Sequence, residues 1–378
     1  MDDAHVTISP TRNTLIVLLA LTALIMTGML YFGIRFKGFR PANQVRWLSA
    51  GPGIQFSRFG IAFTEAFFPQ PAEEHSPGLT IEMAVQPVLS KYPDFRFILS
   101  VHGGNDAQQL VIGQWRTSLV IMQGDDYDGK EGVPKIYIDL SAQGQGPRLV
   151  SITSDASGTR VLLDGQPVKT NPNLHLRYPA GKARLVVGNS VTARHPWNGS
   201  MFGLAFYQET LDNEQVAAHY RNWREAGSMA AVGSASPRIL YLFDEGRGDR
   251  VVNRAANDFD LKVPAWVTVL QKRFLEPPGK DQGPHSKLFQ DMLVNLVGFI
   301  PLGLVLCAVA VRMGAGLRRC AWQVSVLVSF LFSFGLELAQ VWIPSRSSSM
   351  LDLLLNTLGA GIGAAVCMLN HRVARKSR

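Results

Sequence analysis

Cysteine is scarce in this chain of 378 residues: Cys307, Cys320 and Cys367 are the whole supply, each within or at the edge of an apolar run. That placement excludes a disulfide framework and a cysteine-built zinc site, and the three read as packing residues. Charge is sparse too, at 17% of residues against 47% hydrophobic, less than a wholly water-soluble chain carries. A membrane portion is expected. Also missing are a Gly-x-Ser-x-Gly elbow, a His-Glu-x-x-His pair and a Walker loop, which removes the commonest hydrolase and nucleotide chemistries. The run Gly359-Ala360-Gly361-Ile362-Gly363 lies inside an apolar segment and is a helix-packing run, not a nucleotide fingerprint.

The charge that is present is basic, 37 Lys and Arg against 29 Asp and Glu, a net of +8. Arg312, Arg318 and Arg319, and then Arg372, Arg375, Lys376 and Arg378, flank apolar runs, as juxtamembrane anchors do. The expected surface partner is therefore membrane lipid, and no nucleic acid.

Leu15 to Ile34 holds no charge and, as a helix, extends about 30 Å, the depth of a hydrocarbon core. A cleaved signal peptide is the competing reading, but no small-residue cleavage site follows, only Arg35, Lys37 and Arg40. Three further runs are Met292 to Val311, Ala321 to Ile343 with Glu337, and Met350 to Leu369 with Asp352. The basic loop and basic tail put both in the cytoplasm, against the contrary pull of the basic stretch from Arg35 to Arg46. The expected layout is a cytoplasmic N-terminus (1–13), a first span (14–34), an extracytoplasmic domain (44–275), a linker (276–290), a three-span region (291–371) and a basic tail (372–378).

Inside the long segment, Leu79, Ile81, Met83 and Val85 alternate with more polar neighbours, as do Phe95, Phe97, Leu99 and Val101. Period two means half-buried strands. Further strands are expected at 110–115, 119–122, 136–140, 149–153, 160–163, 184–187, 200–207 and 239–243, with Asp164-Gly165 closing a tight hairpin. One helix is expected, capped by Asp212 with Gln215 at its third position, stapled by Leu211 and Val216, and ending near Trp223. Many short strands with Gly-rich turns give a sandwich.

The ordered pieces Leu79–Met83, Val161–Gly165, Val187-Gly188-Asn189 and Trp197–Met201 resemble the landmarks of laminin G-like, concanavalin A-like domains, and Phe202–Tyr207 followed by Leu211–Val216 is similar to their closing strand and short helix. The resemblance implies an all-β jelly-roll sandwich and a cell-surface glycan as partner. Tyr241–Gly248 resembles a piece usually found near the start of such domains, so either strand order is rearranged or a last strand completes a sheet. The Glu-x-Asp-x-x-Glu pattern of glycosidases with this fold is absent, and Glu73-Glu74 and Asp244-Glu245 are expected in solvated loops. Asp125, Asp126 and Asp128 before Gly129 offer oxygens of the kind calcium takes, the one cofactor to consider; the alternative is a solvated acidic turn. Trp115 and Trp197 are expected in the core rather than stacked on sugar.

Ionisable groups within hydrocarbon normally face a partner. Glu337 and Gln340 share a helical face, Asp352 and Asn356 are four apart, Asp291 and Asn295 are four apart, and Arg346 lies in the loop between the last two spans. Asn295–Gly303, Glu337-Leu338-Ala339-Gln340, Arg346 and Asp352–Gly359, in that order, resemble the VanZ-like signature. That resemblance implies a four-helix transmembrane core in the bacterial inner (plasma) membrane, with the outer loop after the first span enlarged to a domain. One namesake of the family is associated with glycopeptide antibiotic resistance. Two readings, not exclusive of each other, follow: the polar groups pair to hold the bundle, with Gly359 and Gly363 giving close contact, and they form an outer pocket for a cell-envelope molecule, a lipid-linked precursor or a glycopeptide. The functional readings are an envelope protein displaying a carbohydrate-binding sandwich, with no catalytic residue assigned, or a membrane enzyme acting through Glu337, Asp352 and Arg346. Four spans without broken-helix repeats count against a transporter.

Overall fold

The computed structural model describes residues 10–34, 41–68, 78–127, 129, 131–141, 144, 146–177, 182–229, 235–272, 274–276, 285–341 and 348–376. The chain divides into two compact units, one of Arg40–Gln271 and one of Met1–Phe39 with Lys272–Arg378.

In the first unit the strands, in chain order, are β1 (Val45–Trp47), β2 (Ile54–Phe56), β3 (Ala62–Thr64), β4 (Leu79–Pro87), β5 (Phe95–His102) and β6 (Leu110–Trp115). There follow β7 (Ser118–Gln123), β8 (Lys135–Asp139), β9 (Arg148–Asp155), β10 (Gly158–Leu163) and β11 (Gln166–Asn171). The last are β12 (Arg184–Val187), β13 (Gly199–Tyr207), β14 (Ile239–Tyr241), β15 (Arg250–Val251) and β16 (Leu261–Lys262). They form two eight-stranded sheets, one ordered β1-β2-β13-β4-β9-β10-β11 with β14 also on β13, the other β15-β16-β3-β12-β5-β6-β7-β8. The named pairs are antiparallel. Between the sheets Ile81, Met83, Val85, Leu99, Val101, Ile112, Ile121, Val150, Ile152 and Phe206 form one apolar core; burial of such side chains stabilises by about 1.5–3 kcal/mol each.

Every strand expected from period two is present. Asp164 (φ 53°) and Gly165 (φ 78°) make the tight turn between β10 and β11, both in the left-handed region that a two-residue hairpin demands. The Tyr241 segment is the last piece of the first sheet, paired to β13 through Leu204↔Tyr241, so the second of the two expectations for it holds.

The helix Asn213–Ala226 follows Asp212, whose side chain accepts from Gln215 N at 2.8 Å while Gln215 Oε1 accepts from Asp212 N at 2.9 Å. This capping box satisfies two otherwise unpaired donors. The helix buries Val216 and Trp223 against Leu149, Leu162, Tyr207 and Leu211. Beneath it Glu82, 1% exposed, takes Ser151 Oγ at 2.8 Å, His219 Nδ1 at 2.7 Å and Tyr207 Oη at 3.4 Å. Burial, then the neighbouring Glu82 charge, push the Tyr207 hydroxyl far above its ordinary pKa. Sealed from water, this cluster pins the helix to the sheet.

In the second unit four helices are long and apolar enough to cross a membrane, at Arg12–Gly33, Phe289–Met313, Ala321–Val341 and Met350–Val373. The short helix Ala315–Arg319 lies between the second and third. The helices Pro10–Ile34, His285–Met313, Ala321–Val341 and Met350–Lys376 pack as a bundle. Phe299, Leu302, Leu336 and Ala360 meet Ile25, Met26 and Met29 of the first helix at its centre. Ile16, Val17, Leu24 and Phe32 face outward from that first helix, as lipid-facing side chains do.

Candidate functional site

The membrane polar residues separate into two groups. At the start of the last helix, Ser349 N donates to Glu337 Oε2 at 2.8 Å, and Ser349 Oγ accepts from Asp352 N at 3.3 Å. Ser349 thus caps that helix with an acid three residues on, where a negative charge suits the helix dipole. Glu337 is 2% exposed. The segment before the second span joins the same place: Glu276 N donates to Ser348 O at 3.0 Å and Met350 N to Glu276 O at 3.1 Å. One turn deeper, Asn356 Nδ2 donates to Ser333 Oγ at 2.9 Å.

Glu337, Asp352 and Asn356 are therefore brought together. Gln340 instead donates to the Gly33 carbonyl at the end of the first helix, at 3.4 Å. Asp291 is exposed and Asn295 half-buried on the second span, and among the described residues neither hydrogen-bonds to the others. Arg346 lies outside the described residues.

Three serines missed in the sequence extend this group. Ser325, Ser329, Ser333 and Glu337 are all buried at a spacing of four, a polar seam about 18 Å long along one face. The spacing was available, but serine in an apolar run carries no charge to mark it. Glycines close the bundle: an added Cβ at Gly303 would stand 2.0 Å from Ala360 O, at Gly359 2.0 Å from Leu296 O, and at Gly363 2.0 Å from Ile300 O. Only a missing side chain lets backbones approach so closely.

The acidic turn of the sandwich is different from an open calcium site. Asp126, fully buried, is bound by Lys135 Nζ at 2.8 Å and by the N–H groups of Glu131 and Val133, each at 3.0 Å. Burial disfavours its charge, but Lys135 and the two N–H donors outweigh that and hold its carboxyl far below the usual range. Its oxygens already have a cation. Asp125 is half-buried and Asp128 lies outside the described residues. Trp197 is buried and donates to Gln114 Oε1 at 3.0 Å, and Trp115 is half-buried. Asp244 and Glu245 bind Arg254 in a loop, while Glu73-Glu74 falls outside the described residues.

A cleft of about 530 Å³ opens at one end of the sandwich, within the size range of small-ligand sites. Asn105, Gln108, Gln123, Asn173, His175 and Arg177 supply its polar lining. Along residues 173–177 burial alternates, with Leu174 and Leu176 buried and Asn173, His175 and Arg177 exposed. Their backbone is fixed at three points: Leu174 O accepts from Thr159 Oγ1 at 2.6 Å, Leu176 N donates to Ser154 Oγ at 2.9 Å, and Arg177 N donates to Gln123 Oε1 at 3.2 Å. Gln123 Nε2 donates in turn to Gln108 O, so a single amide joins the two walls. This lining has no sequence signature, because its residues come from loops and strand ends far apart in the chain.

No curated protein matches the sequence. Solved structures similar to it include a binding domain of botulinum neurotoxin DC in complex with SialylT, at 11% identity and a TM-score of 0.35, covering 48% of this chain and 45% of that one. Others are a Bacteroides ovatus protein assigned a carbohydrate-binding role (12%, 0.38, 59% and 62%) and a heptameric SAP-like pentraxin from Limulus polyphemus (13%, 0.32, 46% and 79%). The chain spans less than two thirds of the neurotoxin and Bacteroides structures. Likeness at this level carries no functional argument, and the sandwich stands on its own two sheets. Residues 250–371 match the family model VanZ-LLP1, VanZ/LLP1, and with its apolar helices this chain is a membrane protein whose C-terminal part is a VanZ-like domain.

Proposed function

We propose that the protein is a multi-pass component of the bacterial inner (plasma) membrane that displays a glycan-binding sandwich outside the cytoplasm, in surface polysaccharide handling or glycopeptide tolerance. The layout proposed is a sandwich domain over 44–275, a linker over 276–290 and the VanZ-like spans over 291–371. The observation that carries the reading is the cleft: four carboxamide side chains, an imidazole and a guanidinium around about 530 Å³ suit the alternating donors and acceptors of sugar hydroxyls. The laminin G-like order of sequence landmarks supports the same ligand class. Orientation follows from Arg312, Arg318 and Arg319 between the second and third spans; with the intervening span crossed, the sandwich lies on the opposite face.

The second reading, an enzyme acting on a lipid-linked envelope precursor through Glu337, Asp352 and Arg346, is favoured by the burial of the Glu337 carboxylate against the backbone that opens the last helix, with Arg346 as anion contact. Two measurements test the first. Detergent-solubilised protein is titrated with surface polysaccharides and peptidoglycan fragments, with and without calcium; specific binding is expected, and a folded protein that binds none of them removes the glycan reading. In intact cells an impermeant thiol reagent is expected to reach Ser236→Cys in the sandwich but not Gly316→Cys, and the reverse pattern overturns the orientation.

A further inference from the structure

The cleft is chemically one-sided. Among its described lining residues there is no carboxylate, while Arg177 and His175 both stand in it. Arg177 is exposed and, among the described residues, makes no ion pair. Four other arginines of the sandwich have carboxylate partners: Arg96 with Asp94, Arg148 with Asp164, Arg250 with Asp260 and Arg254 with Asp244. Arg177 also differs in its footing, since its own N–H is held by Gln123 and its neighbours are tied to β9 and β10. A cation on a fixed backbone loses less freedom on meeting an anion than one on a loose loop. Asn173, His175 and Arg177, alternate exposed residues of one segment, line the cleft together, so one anionic group would be held at one end of a longer polar contact.

We infer that the cleft selects an acidic sugar, one carrying a single carboxylate or phosphate, with Arg177 as the anion contact and the amides of Asn105, Gln108 and Asn173 as hydroxyl contacts. This rests on the glycan-display reading and deepens it. A planar guanidinium binds either anion through two parallel N–H···O bonds, which a neutral sugar cannot reproduce.

The test uses full-length protein in detergent at physiological salt, where distant surface charges are largely screened. The probes are an oligogalacturonate, its methyl ester, a glycerol-phosphate oligomer and a neutral maltooligosaccharide. Binding of the galacturonate or the phosphate oligomer at least tenfold tighter than the ester is expected, and which of the two binds tells carboxylate from phosphate. Arg177→Gln, which keeps the backbone bond to Gln123, is expected to abolish that preference, so that the acidic probes bind no tighter than the ester. Arg224→Gln removes the same charge from the exposed last turn of the sandwich helix and is expected to change nothing. Binding of neither the galacturonate nor the phosphate oligomer more tightly than the ester overturns the inference, as does an equal loss in Arg224→Gln, which would reduce the preference to net charge. Failure of the wild type to bind any probe, the neutral sugar included, removes the glycan reading itself.

Discussion

Gly359 faces the carbonyl oxygen of Leu296 so closely that a Cβ there would stand 2.0 Å from it. No real Cβ occupies such a position, so Gly359→Ala must push the second and fourth spans apart. Overpacking of this kind costs about 1–3 kcal/mol, and here the obstacle is backbone, which cannot rotate aside. Gly298→Ala and Gly335→Ala, with nothing within 4 Å, serve as controls. Thermal denaturation in detergent is expected to show a lower midpoint for the Gly359 variant and unchanged midpoints for the controls. Equal behaviour of all three would mean the helices are not packed through this glycine.

The alternation of Leu79 to Val85 and of Phe95 to Val101 was legible because long strands buried on one face repeat every second residue, and Asp212 with Gln215 because a capping box is local. β1, β2, β3, β15 and β16 went unread: strands of two or three residues contain no period, and pairing with distant neighbours alone makes them strands. The VanZ-like residues were legible in order but not in partnership. Gln340 sits on the same helical face as Glu337, yet the neighbouring first helix takes its amide, a choice made by packing. The sequence left Asp126 open between a calcium ligand and a solvated acidic turn because its partner Lys135 is nine residues away, beyond a hairpin turn that only the folded β7–β8 connection closes. The cleft was invisible for the same reason, its lining being assembled from five separate segments.

The Asp126–Lys135 pair makes a pH prediction of definite sign. The folded carboxyl titrates far below its unfolded range, so the stability it contributes is full above about pH 4, the unfolded value, and is lost as pH falls below that. Denaturant unfolding followed by tryptophan fluorescence is expected to show the wild-type sandwich weakening on acidification through that window. Asp126→Asn is expected to lack this component and to be destabilised at neutral pH by about 3–5 kcal/mol, because Lys135, 6% exposed in its side chain, is left as a buried unpaired charge. The double variant Asp126→Asn, Lys135→Met is expected to recover part of the loss. A pH profile of Asp126→Asn superimposable on wild type would show that the pair does not govern acid stability.

Glu337 separates the two readings of the membrane group through the difference between losing a charge and losing an acceptor. Glu337→Gln keeps an oxygen for the Ser349 N–H and removes the negative charge; Glu337→Ala leaves that half-buried N–H without this acceptor, at a cost of about 1 kcal/mol. If the carboxylate is structural, detergent melting is expected to fall for Glu337→Ala and to move little for Glu337→Gln, with envelope phenotypes following stability. An enzyme using Glu337 as a general base predicts otherwise: Glu337→Gln would melt as the wild type does and still abolish the cellular function, since an amide cannot take a proton at neutral pH. Measuring both variants for melting and for complementation therefore assigns the glutamate, and a well-folded but inactive Glu337→Gln would move the function of this chain from the sandwich to the membrane.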